Sequence, residues 1–276
     1  MERRLFKRLV IGGVYLLVFA LIGWGAYAAW FKPAATCFDK IKNQREEDVD
    51  CGGPCDSCGK RTVKPLEILT KQSLLVRPGA YDLAVRLRNP NQLYGAESFR
   101  YTVRWRNGAG ALTAERVGTS YILPHGTRSV LIQNVPLTEP AAAIEVAISD
   151  YNWVRLKDYQ DEPRFLIRAP SFTKVAPGEL GFAFASAVVV NKSGFDFQAV
   201  DVNILVLDAR GQVLAVSRTV QNAFRNDAER SFRVSWPEPF AGEPERIEVE
   251  ALTNVFDETN YLETFRPIER FQQFGA

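Results

Sequence analysis

All four cysteines of the chain fall in one stretch, Cys37, Cys51, Cys55 and Cys58, spaced C-x13-C-x3-C-x2-C. Three chemistries suit that set. Four thiolates could hold a structural zinc, for which Cys55-x-x-Cys58 supplies one knuckle. Zinc ribbons pair two such knuckles, however, and Cys37 stands alone. A redox-active C-x-x-C would sit in a βαβ pattern, which the flanking sequence lacks. Two disulfides would staple a segment too small for its own core, and would require an oxidising compartment. The even count and the apolar segment that precedes it favour two disulfides, with all three pairings open. Oxygen ligands share the stretch. Asp39, Asn43 and Asp50 stand at positions 1, 5 and 12 of a calcium-type loop, with Glu46 between them. Position 3 is Ile41, position 6 is Gln44 in place of glycine, and Asp50 replaces the bidentate glutamate. The alternative is a solvated acidic turn whose side chains cap local backbone. The expectation is no cofactor, with calcium as the alternative.

The run from Cys37 to Cys58, C-x-D-x-I-x-N-x-x-E-x-x-V-D-C-G-G-x-C-x-x-C, resembles a short cysteine-rich motif of bacterial cell-surface and secreted proteins. That motif is loosely similar to thrombospondin type 3 calcium repeats. Asp39, Ile41, Asn43, Glu46, Val49, Asp50 and Cys51-Gly52-Gly53 fall on the pattern. Lys40, Gln44 and Asp48 stand where the motif has glycine, and Arg45 where it has an acidic residue. The resemblance implies an extracytoplasmic location and, for Asp39, Asn43, Glu46 and Asp50, a calcium role.

Little else in the chain is equipped for catalysis. His125 is the only histidine, in the turn-like Pro124-His125-Gly126, so any Ser-His arrangement must use it. Ser120 and Ser129 are near in sequence, but neither sits in a nucleophile elbow. No phosphate-cradling glycine loop is present. A glycan-directed enzyme would need two carboxylates facing each other across a groove, a pairing sequence does not reveal. The expectation is a non-catalytic protein. A net charge of +2 gives nucleic-acid binding no electrostatic support.

These residues need elements to position them. Arg3, Arg4, Lys7 and Arg8 precede Leu9–Phe31, which carries no charge. A helix of that length spans about 34 Å, enough to cross a bilayer. Tyr27 and Trp30 lie where an aromatic belt would sit, and the basic flank predicts a cytoplasmic N-terminus. Everything from Lys32 onward is then extracytoplasmic. A cleaved signal peptide is the rival, with Ala26-Tyr27-Ala28 as its small-x-small site. The apolar run exceeds a usual signal core, which favours an uncleaved anchor.

The remaining chain contains an internal repeat at an offset of about 102 residues. Leu83–Asn89 aligns with Ala185–Asn191, Ser98–Gly108 with Val200–Gly211, and Ile144–Ile148 with Ile247–Ala251. Each unit alternates with period two: Leu83, Val85 and Leu87; Tyr101, Val103 and Trp105; Val202, Ile204 and Val206. Turn dipeptides separate these runs, so the expected fold is mainly β, with two tandem antiparallel β-sandwiches of about seven strands each. They resemble the immunoglobulin- or fibronectin-like domains of bacterial envelope proteins. The predicted layout is a cytoplasmic N-terminus over 1–8, a transmembrane anchor over 9–31 and a cysteine-rich neck over 32–62. The sandwiches follow over 63–160 and 161–276, with the linker at 158–163.

Alternation also predicts an outer face. With Leu83, Val85 and Leu87 inward, Ala84, Arg86 and Arg88 point outward; with Tyr101, Val103 and Trp105 inward, so do Arg100, Arg104 and Arg106. If the two strands are neighbours, five guanidiniums share one face suited to anionic polymers or lipid headgroups. Otherwise they pair with Glu97, Glu115 and Glu145. The tail from Asp257 carries Tyr261, Leu262, Phe265, Ile268, Phe271 and Phe274, for a docked terminus or for recruiting a partner. The expected role is a membrane-anchored binding or scaffold protein of the cell envelope, contacting an envelope protein or an anionic surface polymer. A structural assembly component acting through the tail is the alternative.

Overall fold

The computed structural model describes residues 2–30, 36–156, 163–176 and 178–262. The chain divides into two units, 1–62 and 63–276. In the first, Glu2–Trp30 forms a single helix, α1. Within it Phe6–Tyr27 is long and apolar enough to cross a membrane, a test that a signal sequence also meets. Phe31 and Lys32, at the expected end of the anchor, lie outside the described residues. The neck that follows carries two disulfides and ends in a 3-10 turn, Cys58–Thr62. An apolar N-terminal helix with disulfides suits a membrane-anchored or secreted protein.

The second unit is built from antiparallel strands in two sandwiches. The first comprises β1 (Glu67–Arg77), β2 (Ala80–Arg88), β3 (Tyr94–Arg106), β4 (Leu112–Ile122), β5 (Thr127–Pro136) and β6 (Ala143–Arg155). The second comprises β7 (Phe165–Lys174), β8 (Ala183–Asn191), β9 (Phe197–Leu207), β10 (Val213–Phe224), β11 (Glu229–Trp236) and β12 (Arg246–Leu252). The sheets run β1-β2-β5 and β4-β3-β6, then β7-β8-β11 and β10-β9-β12. Strand for strand, the second sandwich repeats the first, as the internal repeat predicts. Among the described residues each has six strands, not about seven. After β12 the chain forms a 3-10 turn, Glu258–Asn260, and a single bridge from Tyr261 to Phe197 in place of a further strand. Residues 158–162 of the expected linker lie outside the described residues.

The alternating residues form the cores. Leu83, Val85, Leu87, Val103 and Trp105 are buried in the first, and Val202, Ile204 and Val206 in the second. The register differs from the sequence alignment at β3 and β9. Asn107 and Asp208 hold equivalent hairpins, each accepting two backbone N–H bonds on its side chain, so Gly110 and not Gly108 is the counterpart of Gly211. Gly110 and Gly211 adopt matching φ of 79° and 78°.

The slip arises at a buried asparagine that ends β2 and again ends β8. Asn89 Nδ2 donates to Tyr94 O (2.7 Å) and Leu123 O (2.9 Å), and its Oδ1 accepts from Asn91 N. Asn191 Nδ2 donates to Phe195 O (2.8 Å) and Phe224 O (3.0 Å), and its Oδ1 accepts from Ser193 N. The first partner is five residues away in one repeat and four in the other, which shifts the following strand by one. Both asparagines are fully buried. Their side chains carry the chain from one sheet to the other, and each satisfies one buried carbonyl, Tyr94 O or Phe224 O, that would otherwise lack a donor. Asn89→Ala and Asn191→Ala should therefore each cost about 1–3 kcal/mol in urea unfolding, because one buried and one part-buried carbonyl lose their donor. A loss within about 0.5 kcal/mol, the range of ordinary surface changes, would show that the amide does not close the corner.

Candidate functional site

In the neck, the structure selects Cys37–Cys55 and Cys51–Cys58 among the three pairings. The acidic residues between them bind backbone. Asp39 Oδ1 accepts from Ile41 N (2.9 Å), and its Oδ2 from Thr36 N (3.2 Å) and Asn43 Nδ2 (2.8 Å). Those bonds, the Asn43 amide foremost, lower the Asp39 pKa. Both Asp50 oxygens accept from Lys40 N, and the buried Glu46 takes Asn43 N and Asp50 N on Oε2. The four candidate calcium ligands thus share one network of capping bonds. Among the described residues no three His, Cys, Asp or Glu side chains are grouped to hold a metal. Lys40 and Gln44, which replace motif glycines, keep positive φ of 61° and 51°.

The five arginines are not brought together. Arg86 and Arg88 lie on β2, and Arg100, Arg104 and Arg106 on β3, in different sheets of the first sandwich. The condition for a common anionic-polymer face, that these strands be neighbours, is not met, because Asn89 turns the chain across to the other sheet. Each arginine has an acidic partner. Arg104 pairs with Glu115 and Arg106 with Glu145, as the sequence suggests. Arg100 pairs with Asp150, and Arg88 with Glu67. Arg86 reaches Glu248 of β12, in the second sandwich, at 2.6 Å. Glu97 accepts instead from Asn152.

The Arg86–Glu248 pair marks a feature the sequence reading missed. The outer face of sheet β1-β2-β5 packs on the outer face of sheet β10-β9-β12, so the two sandwiches are docked. Leu74, Ala84, Leu205, Leu207 and Val216 form an apolar strip along this seam. Ala84, assigned outward by alternation, and Leu205 and Leu207, which alternate with the core residues Ile204 and Val206, point away from their own cores, but they face the other sandwich and not water. Gln72 Nε2 donates to Val213 O (2.6 Å) while its Oε1 accepts from Val213 N (3.0 Å), an amide pair that imitates a strand bridge. Farther along, Asn254 Nδ2 donates to Glu97 O, and Phe256 lies so close to Gly95 that a methyl there would meet its ring at 2.4 Å.

Beside the apolar strip the seam is polar and buried. Asn203 Nδ2 donates to Ser129 O (2.8 Å), and Glu250 accepts from both Ser129 N (3.0 Å) and Ser129 Oγ (2.8 Å). Arg128, only 7% exposed, donates from Nη2 to Asp201 Oδ2 (3.1 Å), while Arg218 takes Asp201 Oδ1 (2.6 Å). The Arg128 guanidinium stacks on the Tyr121 ring at 3.9 Å, and burial pushes the Tyr121 phenol up to about 12. These groups, with Tyr101, Thr119 and Ser120, line a cavity of about 150 Å³. Of the residues considered for catalysis, Ser129 is bonded to Glu250, and His125 Nδ1 lies 3.1 Å from Gln92 Nε2. The sequence held one signal for this seam: two leucines, Leu205 and Leu207, on a strand face that would otherwise be wet.

Tyr261 packs against Phe195 and Phe197 and donates to Val255 O, so the start of the tail is docked on the second sandwich. Phe265, Ile268, Phe271 and Phe274 lie outside the described residues.

No protein-family model matches the chain, and no curated protein matches it. Among solved structures, a red sea bream transglutaminase aligns at 11% identity and TM-score 0.23, over 70% of this chain. The chain spans 30% of that enzyme's length. The calcium-binding domain CBD12 of CALX1.1 aligns at 14% identity and TM-score 0.19, over 56% of this chain and 68% of the other.

The disulfide pairing and the buried Asp82 each have a measurable consequence. Closing a loop of 18 residues' separation constrains the unfolded neck more than closing one of 7. Replacing Cys37 and Cys55 together by serine should therefore cost about 3 kcal/mol, against roughly 2.5 kcal/mol for Cys51 with Cys58. Mass spectrometry of the unreduced protein should recover the cross-links Cys37–Cys55 and Cys51–Cys58. The second outcome concerns Asp82, buried at the seam, where it accepts from Asn134 N (2.9 Å). Burial raises its pKa above 3.8, outweighing the lowering by that bond. The folded state then binds the proton more tightly than the unfolded chain, so Asp82 lowers stability as pH rises from about 3.8 through its folded pKa, and the full cost remains above it. Asp82→Asn should stabilise the protein at neutral pH and lose that advantage on acidification. An equal effect at both pH values would contradict this.

Proposed function

We propose that the protein is a membrane-tethered, non-catalytic scaffold or binding protein of a cell envelope, with its body outside the cytoplasm. The observation that carries this reading is the buried polar seam, which makes the two sandwiches one stiff body instead of two beads on a linker. A relative orientation fixed by Arg128–Asp201, Asn203–Ser129 and Gln72–Val213 is what a spacer or presenting platform needs. The tether is supported by α1, long and apolar enough over Phe6–Tyr27 to cross a membrane, with Arg3, Arg4, Lys7 and Arg8 at its start. The location is supported by the two disulfides, which persist in oxidising compartments. The neck retains calcium as a proposed ligand on Asp39, Asn43, Glu46 and Asp50, where it would compete with the capping bonds described above.

The reading has a direct test. The intact protein should fractionate with membranes and resist extraction by carbonate, and protease added to intact spheroplasts should remove the body. Recovery of a soluble product starting near Ala29 would reject the tether. A body protected until the membrane is permeabilised would reject the orientation.

A further inference from the structure

We propose that the cavity between the sandwiches binds a single small oxyanion, a carboxylate or a tetrahedral sulfate or phosphate group, and that this ligand clamps the seam. Arg128 and Arg218 both line the cavity, and Asp201 is the one acidic residue that lines it with them. Its carboxylate is divided between them, Oδ1 to Arg218 and Oδ2 to Arg128. The nearby Glu250 is turned to Ser129 and Asn203 and does not line the cavity. One positive charge in the wall is thus left over. Arg218, half exposed, shares its charge with water, but Arg128 is buried, and a buried cation is stable only when fully paired and hydrogen-bonded.

Arg128 is poorly provided for in that respect. Its Nε and Nη1 are buried and find no hydrogen-bond partner among the described residues, and the Tyr121 ring covers its face. Tyr101, Thr119, Ser120 and Tyr121 also line the cavity, and burial raises both phenols above the usual tyrosine range, so their hydroxyls stay protonated. The volume of about 150 Å³ is ample for a small oxyanion with accompanying water. The walls come from β3, β4 and β5 on one side and from β9 and β10 on the other. An occupant therefore binds only the docked arrangement, and stabilises it by mass action.

The test is thermal unfolding of the full-length protein in neutral detergent, with acetate, sulfate and phosphate each titrated against chloride at fixed ionic strength. The wild type should show a saturable rise in Tm for one oxyanion class, and the acetate and sulfate arms separate a carboxylate site from a tetrahedral one. Sulfate stabilises folded proteins generally by exclusion, so variants decide the matter. Arg218→Gln, at a half-exposed side chain, should fold and lose about tenfold or more in apparent affinity with removal of a charge-assisted donor. Ser120→Ala should weaken binding less. Arg128→Gln risks unfolding and is not needed. If no oxyanion exceeds chloride, or if Arg218→Gln responds as the wild type does, the cavity holds only water and the proposal fails.

Discussion

The outer face of β9 must be kept from water, and much of the second unit follows from that. Asp201, Asn203, Leu205 and Leu207 alternate with the core residues Val202, Ile204 and Val206, so the strand is apolar or buried on both sides. A single sandwich can cover one face of a sheet but not two. The first sandwich supplies the second cover, with Leu74 and Ala84 over the leucines and Ser129 and Arg128 over the polar end. Hydrophobic contact draws the faces together, and the buried hydrogen bonds then fix one alignment. A rotated or slid seam would leave Asn203, Ser129 and Gln72 without partners, at about 1–3 kcal/mol for each stranded group.

The duplicated topology explains why docking has a direction. At the register set by the two hairpins, Arg100, Arg104 and Arg106 of β3 occupy the positions that Asp201, Leu205 and Leu207 occupy in β9. Had β3 faced the seam, three guanidiniums would have needed burial; facing water, they pair with Asp150, Glu115 and Glu145 on neighbouring strands of their own sheet. Such exposed pairs contribute little stability, a median near 0–1 kcal/mol each. Their effect is to make this face soluble and unfit for the contact that β9 makes. The two repeats share their asparagine corners and inner alternation, and differ in the residues that decide which outer sheet is wet.

What sequence could and could not show divides along range. Inner alternation of Leu83, Val85 and Leu87 or of Val202, Ile204 and Val206 is local, so strands, cores and the repeat were readable. The sheet to which a strand belongs is not local. Asn89-Pro90-Asn91 between two alternating runs reads as a hairpin turn, whereas the buried Asn89 side chain makes it a crossing between sheets. The proposed arginine face failed on that point. The slip at β9 has the same origin, since one residue fewer after Asn191 moves every equivalence by one while leaving the inward set intact. Arg128, Asp201 and Arg218 meet only because 128 and 201 are brought together across the seam, a pairing no spacing rule encodes.

The neck makes the complementary case, in which local pattern carried the two disulfides, though not the pairing of the cysteines. Its glycine-poor departures have a physical account. A non-glycine residue in the left-handed region costs about 1–2 kcal/mol, and Lys40, Gln44, Arg45 and Asp50 all sit there. Such strain persists only where surrounding bonds over-determine the backbone. Lys40 is held by both oxygens of Asp50, Glu46 ties Asn43 N to Asp50 N, and the two disulfides close the segment over them. Gly52 and Gly53 remain glycine where nothing else fits: a Cβ on either would meet backbone or the Glu47 side chain at 2.7 Å. Glycine is thus kept where space forbids a side chain, and given up where only backbone torsion is strained and capping carboxylates can hold it.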